Sequence, residues 1–154
     1  MATSPDEAYV NHLITDSRAM DELNQGVIKE FRANQGIVSG AMEGMPILLL
    51  TMTGAKSGRT LTRPLCYSRD GGRVIIIASY GGAPGNPPWY HNLLANPLVT
   101  VELGTEKFKA RAAEAHGAER QRLFDGQARL MPFFNDYQKK TKRQIPVITL
   151  TRID

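Results

Sequence analysis

A short basic loop carries the clearest chemical signal in the chain. Residues 53–59 read Thr-Gly-Ala-Lys-Ser-Gly-Arg. The two glycines let the backbone turn sharply and approach a ligand closely, while Lys56 and Arg59 supply positive charge and Ser57 supplies a hydroxyl donor. The segment therefore predicts a receptor for an anionic group. The alternative interpretation is a tight, solvated β-turn that is basic for no functional reason, and the loop alone does not separate the two.

Strand-like runs on both sides are expected to hold this loop on a rigid support. The run 47–51 is continuously apolar, flanked by proline and glycine and too brief for a helix, which indicates a buried strand. The run 62–68 predicts the next strand. Residues 70–72, Asp-Gly-Gly, are typical of a hairpin turn before a strand over 73–79, with its apolar centre at 74–78.

The rest of the chain supplies helices and further strands. Met20, Leu23, Val27 and Phe31 recur at helical spacing and predict an amphipathic helix ending near Gly36. The other expected elements are a loose arm or short helix over 1–16, a loop over 36–45 able to cover a pocket, an irregular Gly/Pro-rich segment over 80–88, helices over 89–96 and 118–130, strands over 99–103, 107–113 and 147–151, and an aromatic connector over 132–137.

The order of these elements predicts an α+β fold. About six short strands joined mainly by hairpins, with two or three helices, favour an antiparallel β-barrel with peripheral helices over a doubly wound sheet. No Gly-x-Gly-x-x-Gly sequence follows a first strand, which disfavours a Rossmann-type nicotinamide site.

Length, charge and cysteine content limit the classes of function. A chain of 154 residues fits one domain over 1–154, with 1–35 as an N-terminal arm and amphipathic helix. The net charge of +4 is modest and its cations are dispersed, which favours a small polyanionic ligand over nucleic acid. The single cysteine excludes an internal disulfide, and three scattered histidines argue against a metal site. Without an apolar run of roughly 20 residues or a signal-peptide pattern, a cytoplasmic protein is expected.

Longer motifs extend the pattern around the basic loop. They are Leu48–Gly58, Pro64-Leu65, Asp70-Gly71, Ala78–Pro84 and Pro88–Pro97, with weaker agreement at Asp136–Gln138 and Ile145–Val147. In this order and spacing they resemble the deazaflavin (F420)-dependent nitroreductase family, whose members have the split β-barrel, flavin-reductase-like fold. The resemblance implies binding of reduced coenzyme F420 and hydride transfer from C5 of the deazaflavin to an electron-poor acceptor. FMN, which serves other enzymes of this fold, is the alternative cofactor.

The resemblance also implies which residues hold the cofactor. F420 has an anionic phosphodiester and polyglutamate tail, for which the candidates are Lys56, Ser57, Arg59 and Arg63. The family commonly has basic residues where this chain has Leu61 and Tyr80. For the ring, the candidates are Pro64, Leu65, Ala78, Ser79, Gly81 and Gly82, with Trp89 and Tyr90 packing nearby and Asn92 as a hydrogen-bonding neighbour. The alternative interpretation of the glycines is simple turn geometry. For Trp89, Tyr90 and Asn92 the alternative is packing in the core and at the start of a helix.

The acceptor pocket departs from the nitroreductase pattern. Where those enzymes place tyrosines, this chain has Cys66, Met131 and Phe134, and Tyr137 alone keeps a hydroxyl. Fewer hydroxyl donors favour quinones or activated C=C bonds over nitro compounds as acceptors. The candidate proton donors are Tyr67, Ser79, Tyr137 and water. Alternatives are a non-catalytic F420-binding protein and a quinone reductase that contacts the membrane surface through its N-terminal helix, as a monomer or homodimer.

Overall fold

The computed structural model describes residues 6–153, which form seven strands, five α-helices and two short 3-10 turns. The helices are α1 (Glu7–Thr15), α2 (Ser17–Ala33), α3 (Pro88–Ala95), α4 (Gly117–Leu130) and α5 (Phe133–Lys140). The strands are β1 (Ile47–Thr53), β2 (Thr60–Cys66), β3 (Ser68–Asp70), β4 (Arg73–Ile77), β5 (Leu98–Leu103), β6 (Glu106–Ala115) and β7 (Val147–Arg152). The 3-10 turns span Gly40–Met42 and Tyr80–Gly82. None of the described helices is long and apolar enough to cross a bilayer.

All strands form one antiparallel sheet in the order β2-β1-β5-β6-β7-β4-β3. Strands β2 and β3 are the two edges of this sheet, yet only Tyr67 separates them in the chain. Because consecutive Cα atoms lie about 3.8 Å apart, the two edges must meet at this residue. The sheet therefore curls into a half-barrel.

Two hydrophobic clusters occupy the two faces of the sheet. One cluster, called the six-strand cluster below, takes buried residues from β1, β4, β5, β6, β7 and α3, with partly buried residues of β2 packed against it, as expected for the concave face of a curled sheet. The other packs β1, β4 and β7 against α2, α4 and α5. Strand β1 contributes alternate side chains to each cluster, and Leu48, Leu49 and Leu50 are fully buried. This double burial explains why its sequence is continuously apolar rather than alternating.

The two N-terminal helices meet at Asp16, whose carboxylate accepts the backbone N–H groups of Arg18 and Ala19 at 3.1 Å each. An aspartate in this position satisfies donors that the first helical turn leaves unpaired. Helix α2 then buries Val27, Ile28 and Phe31. The predicted amphipathic helix is confirmed, and the predicted arm is helical over Glu7–Thr15, while residues 1–5 lie outside the described part.

The antiparallel barrel with peripheral helices is confirmed, but two predicted elements were wrong. The run 62–68 is not one strand, because the N–H of Tyr67 donates to Pro46 O at 3.1 Å and the chain passes from β2 to β3 there. The aromatic connector is the helix α5. Its aromatic residues Phe133, Phe134 and Tyr137 contact one another in tilted and edge-to-face arrangements, with ring centroids 4.9–5.9 Å apart.

Candidate functional site

The basic loop between β1 and β2 is a closed turn. The N–H of Gly54 donates to Arg59 O at 2.8 Å, and the N–H of Gly58 donates to Gly54 O at 3.1 Å. Gly58 has φ of 68°, which favours glycine. A Cβ at Gly54 would lie 2.5 Å from Ser57 Oγ, a contact that rotation of the serine side chain could relieve. The shape of the turn thus explains the glycine at position 58.

The turn presents its charges to solvent. Lys56, Ser57 and Arg59 are exposed, and neither cation pairs with a carboxylate anywhere in residues 6–153. The backbone N–H groups of Lys56 and Ser57 have no acceptor in that same part of the chain. Exposed cations beside free N–H groups provide the donors that phosphate and carboxylate groups accept. The loop therefore fits an anionic ligand group.

Asn92 supports the basic loop from α3. Its Oδ1 accepts the N–H of Ala55 at 2.9 Å, and its Nδ2 lies 3.8 Å from Met52 Sδ. On the same helix, Asn96 Nδ2 is 3.5 Å from Thr53 O. Asn92 was predicted to hydrogen-bond near the cofactor, and in the structure its partners are the loop and its supporting strand.

A cavity of about 330 Å³ lies where the edge strand β2 faces the end of β4. Its walls come from the helices α1, α2 and α5, from residues 63–66 of β2 and from Ile77 at the end of β4. The segments 79–81 and 87–89 complete them. Arg63 is the only cation that lines it among the described residues, and Asp21 the only carboxylate. The lining is mainly apolar, which suits an uncharged conjugated molecule.

Strand β2 connects the basic loop to this cavity. Arg59 ends the turn, and Arg63 lines the cavity four residues later. At about 3.3 Å per residue, the strand spans roughly 13 Å over this distance. Arg63 donates to Thr62 O at 3.0 Å and has no carboxylate partner in the described chain. The arrangement fits an elongated ligand with an anionic tail at the loop and a flat group in the cavity.

The structure brings together only part of the predicted site. The predicted residues that line the cavity are Arg63, Pro64, Leu65, Cys66, Ser79, Gly81, Trp89, Phe134 and Tyr137. The predicted residues that lie elsewhere are Lys56, Ser57, Arg59, Tyr67, Ala78, Gly82, Tyr90, Asn92 and Met131. Ala78 and Met131 are fully buried in the two core clusters. Tyr67 packs against the six-strand cluster, and Tyr90 donates to Glu114 Oε1 at 2.6 Å.

The glycines after β4 serve helix packing. A Cβ at Gly81 would lie 2.6 Å from side-chain atoms of Val10 and Ile14 on α1, and one at Gly82 would lie 2.8 Å from Tyr137 O on α5. Their φ values of 62° and 83° also favour glycine. The close approach that the sequence predicted is present, but the groups that approach are two helices.

Two ionisable groups in the cavity wall are held neutral. Burial, with smaller contributions from Cys66 and Asp136, raises the pKa of Tyr137 to about 12, and burial raises the pKa of the Cys66 thiol to about 12. The Cys66 Sγ lies 3.9 Å from Met45 Sδ. The Tyr137 hydroxyl has no hydrogen-bond partner within residues 6–153. Tyr137 therefore keeps its proton and can donate a hydrogen bond from its free hydroxyl, while Cys66 stays a thiol.

Arg143 is a site-forming residue that the sequence analysis missed. Its guanidinium donates to the carbonyl oxygens of Ala78, Ser79 and Ala83 and to Asn86 Oδ1, at 2.7–3.3 Å. These contacts fix the segment after β4 that lines the cavity. No sequence signal could have found Arg143, because it lies about 60 residues away in an unpatterned basic run.

Asn24 was missed as well, although a signal existed. It is only 7% exposed, lines the cavity, and has no hydrogen-bond partner in the described part of the chain. It lies one position after Leu23 and three before Val27, on the apolar stripe of α2. A lone amide within such a stripe indicates a buried polar group that needs a partner.

Comparison with known proteins agrees with this geometry. A family model described as F420H(2)-dependent quinone reductase matches residues 25–152. An F420H(2)-dependent quinone reductase of Mycobacterium tuberculosis is 39% identical over 129 residues, covering 79% of this chain and 85% of the relative. A solved F420-H2 dependent reductase (FDR-A) is 40% identical with a TM-score of 0.64, covering 68% of this chain and 93% of that one. A domain-swapped dimer is 36% identical with a TM-score of 0.66, covering 79% and 92%.

The curled antiparallel sheet with a cavity at its open edge defines a split β-barrel. The chain belongs to the F420H(2)-dependent quinone reductase family. The expected F420-dependent split-barrel enzyme is thereby confirmed. The family description names quinone rather than nitro compounds, and it gives no support to FMN as the alternative cofactor.

Proposed function

We propose that this protein oxidises F420H2 and reduces a quinone. One observation carries the proposal: β2 joins an exposed, unneutralised cationic loop to a mainly apolar cavity. F420 has an anionic tail attached to a flat ring, so a single molecule fits both ends of this strand. Family membership supports the same cofactor and acceptor.

The chain's own residues bind and orient the reactants. Lys56, Arg59 and the turn's N–H groups hold the anionic tail, and Arg63 supplies positive charge at the entrance to the cavity. When bound, F420H2 supplies the hydride. The apolar wall of α1, α2 and α5 excludes water, and the free hydroxyl of Tyr137 or Ser79 donates a hydrogen bond to the acceptor oxygen as negative charge collects there.

The preferred acceptors are quinones, followed by enones, with nitro compounds weaker. Cys66 and Phe134 line the cavity where the resemblance places tyrosines in nitroreductases, and neither provides a hydroxyl. A nitro group needs several donors to orient it, whereas a quinone carbonyl needs one. Met131, the third residue at such a position, is fully buried in the core and therefore does not enter this ranking of acceptors.

The decisive experiment follows F420H2 absorbance with menadione, cyclohexenone and a nitroimidazole at equal concentrations. Fastest turnover with menadione is expected. Faster turnover of the nitroimidazole would contradict the acceptor ranking, while tight F420 binding without turnover of any acceptor would indicate a non-catalytic F420-binding protein. Micromolar FMN binding with no heat on adding F420 would contradict the cofactor assignment.

Cellular location and assembly are further proposals. We infer a homodimer because a 36% identical solved relative is a domain-swapped dimer. A cytoplasmic location is proposed on the sequence pattern alone. Light scattering of the purified protein tests the dimer. Sedimentation with liposomes, with and without residues 1–35, tests whether the N-terminal helices contact a membrane surface.

A further inference from the structure

We propose that Asn24 is a specificity-determining residue that donates a hydrogen bond from its side-chain amide to a carbonyl oxygen of the bound acceptor. The inference rests on the proposed function and concerns the helical wall of the same cavity. Asn24 is 7% exposed, lines the cavity, and has no hydrogen-bond partner within residues 6–153.

The side-chain amide of Asn24 is open to the cavity and is not sealed in the core. Among the described residues, the fully buried side-chain N or O atom that lacks a hydrogen-bond partner is Gln127 Nε2, not an atom of Asn24. The neighbouring α2 residues Val27, Ile28 and Phe31 are apolar and buried, so leucine would suit this stripe. A lone amide that lines a cavity on an otherwise apolar stripe has the properties of a ligand contact.

The chemistry of the cavity selects the partner of Asn24. The side chain is uncharged, and the nearby lining includes Met20, Leu23 and Met45, so a neutral polar atom on an otherwise apolar molecule is the best partner. A quinone carbonyl oxygen meets this description, since it accepts the Nδ2 donor and brings an apolar ring.

The position of Asn24 favours the acceptor over the cofactor. The residues proposed for F420 lie on the basic loop, on β2 and after β4, whereas Asn24 lies on the part of the cavity wall that the helices α1 and α2 form. The family model matches residues 25–152, so it makes no assignment for Asn24.

The test compares Asn24→Leu with Gln25→Leu, the same change at an exposed position of α2 that does not line the cavity. For Asn24→Leu, we expect kcat/KM for menadione to fall roughly 3- to 10-fold, the size of one hydrogen bond. The Kd for F420 is expected to stay the same. The melting temperature of the free protein is expected to stay the same or to rise. Gln25→Leu is expected to match the wild type in all three.

A binding experiment separates this inference from the proposed function. Ligand-observed NMR, with and without oxidised F420, compares menadione with 2-methylnaphthalene, which has no carbonyl oxygens. Wild type is expected to prefer menadione, and Asn24→Leu is expected to lose that preference by the same 3- to 10-fold. Absence of turnover in the wild type would contradict the proposed function, yet the NMR preference would still test Asn24.

Three outcomes would overturn the role of Asn24. The first is a stable Asn24→Leu variant whose kcat/KM and preference for menadione are unchanged. The others are weaker binding of F420 by that variant and a clearly lower melting temperature. Should Asn24→Leu not fold, Asn24→Ala removes the donor without introducing a larger side chain. That variant is expected to lose menadione preference at least as strongly, and retention of wild-type preference would contradict the proposal.

Discussion

The side-chain oxygen of Asn92 on α3 accepts the backbone N–H of Ala55 at 2.9 Å, and this bond ties the basic loop to the helix whose N-terminal end lines the cavity. The loop is therefore held in shape by a residue 37 positions away in sequence. Preorganised binding groups lose less entropy when a ligand binds, so this bond affects affinity without touching the ligand.

Asn92→Ala is expected to weaken F420 binding about 3- to 10-fold through loss of this bond, with little change in KM for the acceptor. Calorimetry with oxidised F420 gives the Kd directly. Leu94→Ala, which changes a 55% exposed residue on the same helix, serves as the control. An unchanged Kd in Asn92→Ala would show that the loop keeps its shape without α3.

Charge reversal in the loop is expected to have a larger effect. Lys56→Glu and Arg59→Glu each replace an unpaired cation with an anion, and binding of F420 is expected to weaken at least 10-fold at low salt, with a smaller difference at high salt. Lys29→Glu changes an exposed lysine on α2 and is expected to leave the Kd unchanged. If all three variants bound F420 with the same Kd, the anionic tail of F420 would have to bind elsewhere.

Tyr137→Phe tests the proton donor. The variant leaves no group unpaired within residues 6–153, so the melting temperature is expected to hold while kcat falls roughly 100-fold if Tyr137 donates the proton. Because the pKa of Tyr137 is raised to about 12, the wild-type rate is expected to show no tyrosine ionisation below pH 9. Undiminished turnover would leave Ser79 or water as donor. Tyr67→Phe is the control because Tyr67 does not line the cavity.

Arg143→Met is expected to destabilise the protein by about 3 kcal/mol, since it leaves buried carbonyl oxygens of Ala78 and Ser79 without their charged donor. The melting temperature should fall by roughly 6–12 °C for a domain of this size. Lys142→Met changes the exposed neighbour and is expected to have almost no effect. Similar melting temperatures for both variants would contradict the conclusion that Arg143 holds the segment after β4 in place.

Cys66 should react slowly with iodoacetamide. Its raised pKa of about 12 lowers the thiolate fraction at pH 8 by roughly 1000-fold relative to an ordinary thiol, and the protein has no other cysteine to confuse the measurement. Mass spectrometry of native and guanidinium-unfolded samples compares the rates. Alkylation of the native protein at the unfolded rate would contradict a neutral, shielded thiol.

The raised pKa values of Cys66 and Tyr137 also make the stability of the protein depend on pH. Cys66 and Tyr137 both have higher pKa values folded than unfolded, so the folded state binds more protons above about pH 9. Their stabilising contribution is present below pH 9 and is lost as the pH rises toward 12. Urea unfolding at pH 8 and pH 10.5 should show a lower free energy of unfolding at the higher pH.

The sequence alone determined the features that depend on local pattern. The apolar run 47–50, the hairpin turn at 70–72 and the glycine-rich turn at 54–58 specify strands and turns through side-chain period and backbone conformation. The ordered motifs around them were sufficient to predict the F420-dependent split barrel. The basic loop was found because its charges are adjacent in the chain.

Only the tertiary structure decided how these parts meet. The break at Tyr67 makes the sheet edges converge, and Arg143 fixes the cavity segment from about 60 residues away, which no local pattern encodes. It also decided that Gly81 and Gly82 accommodate helices, and that Asn24 lines the cavity unpaired. Neighbours in a folded chain are set by the burial of distant surfaces against one another, so a residue's partners follow from packing rather than from its position in the sequence.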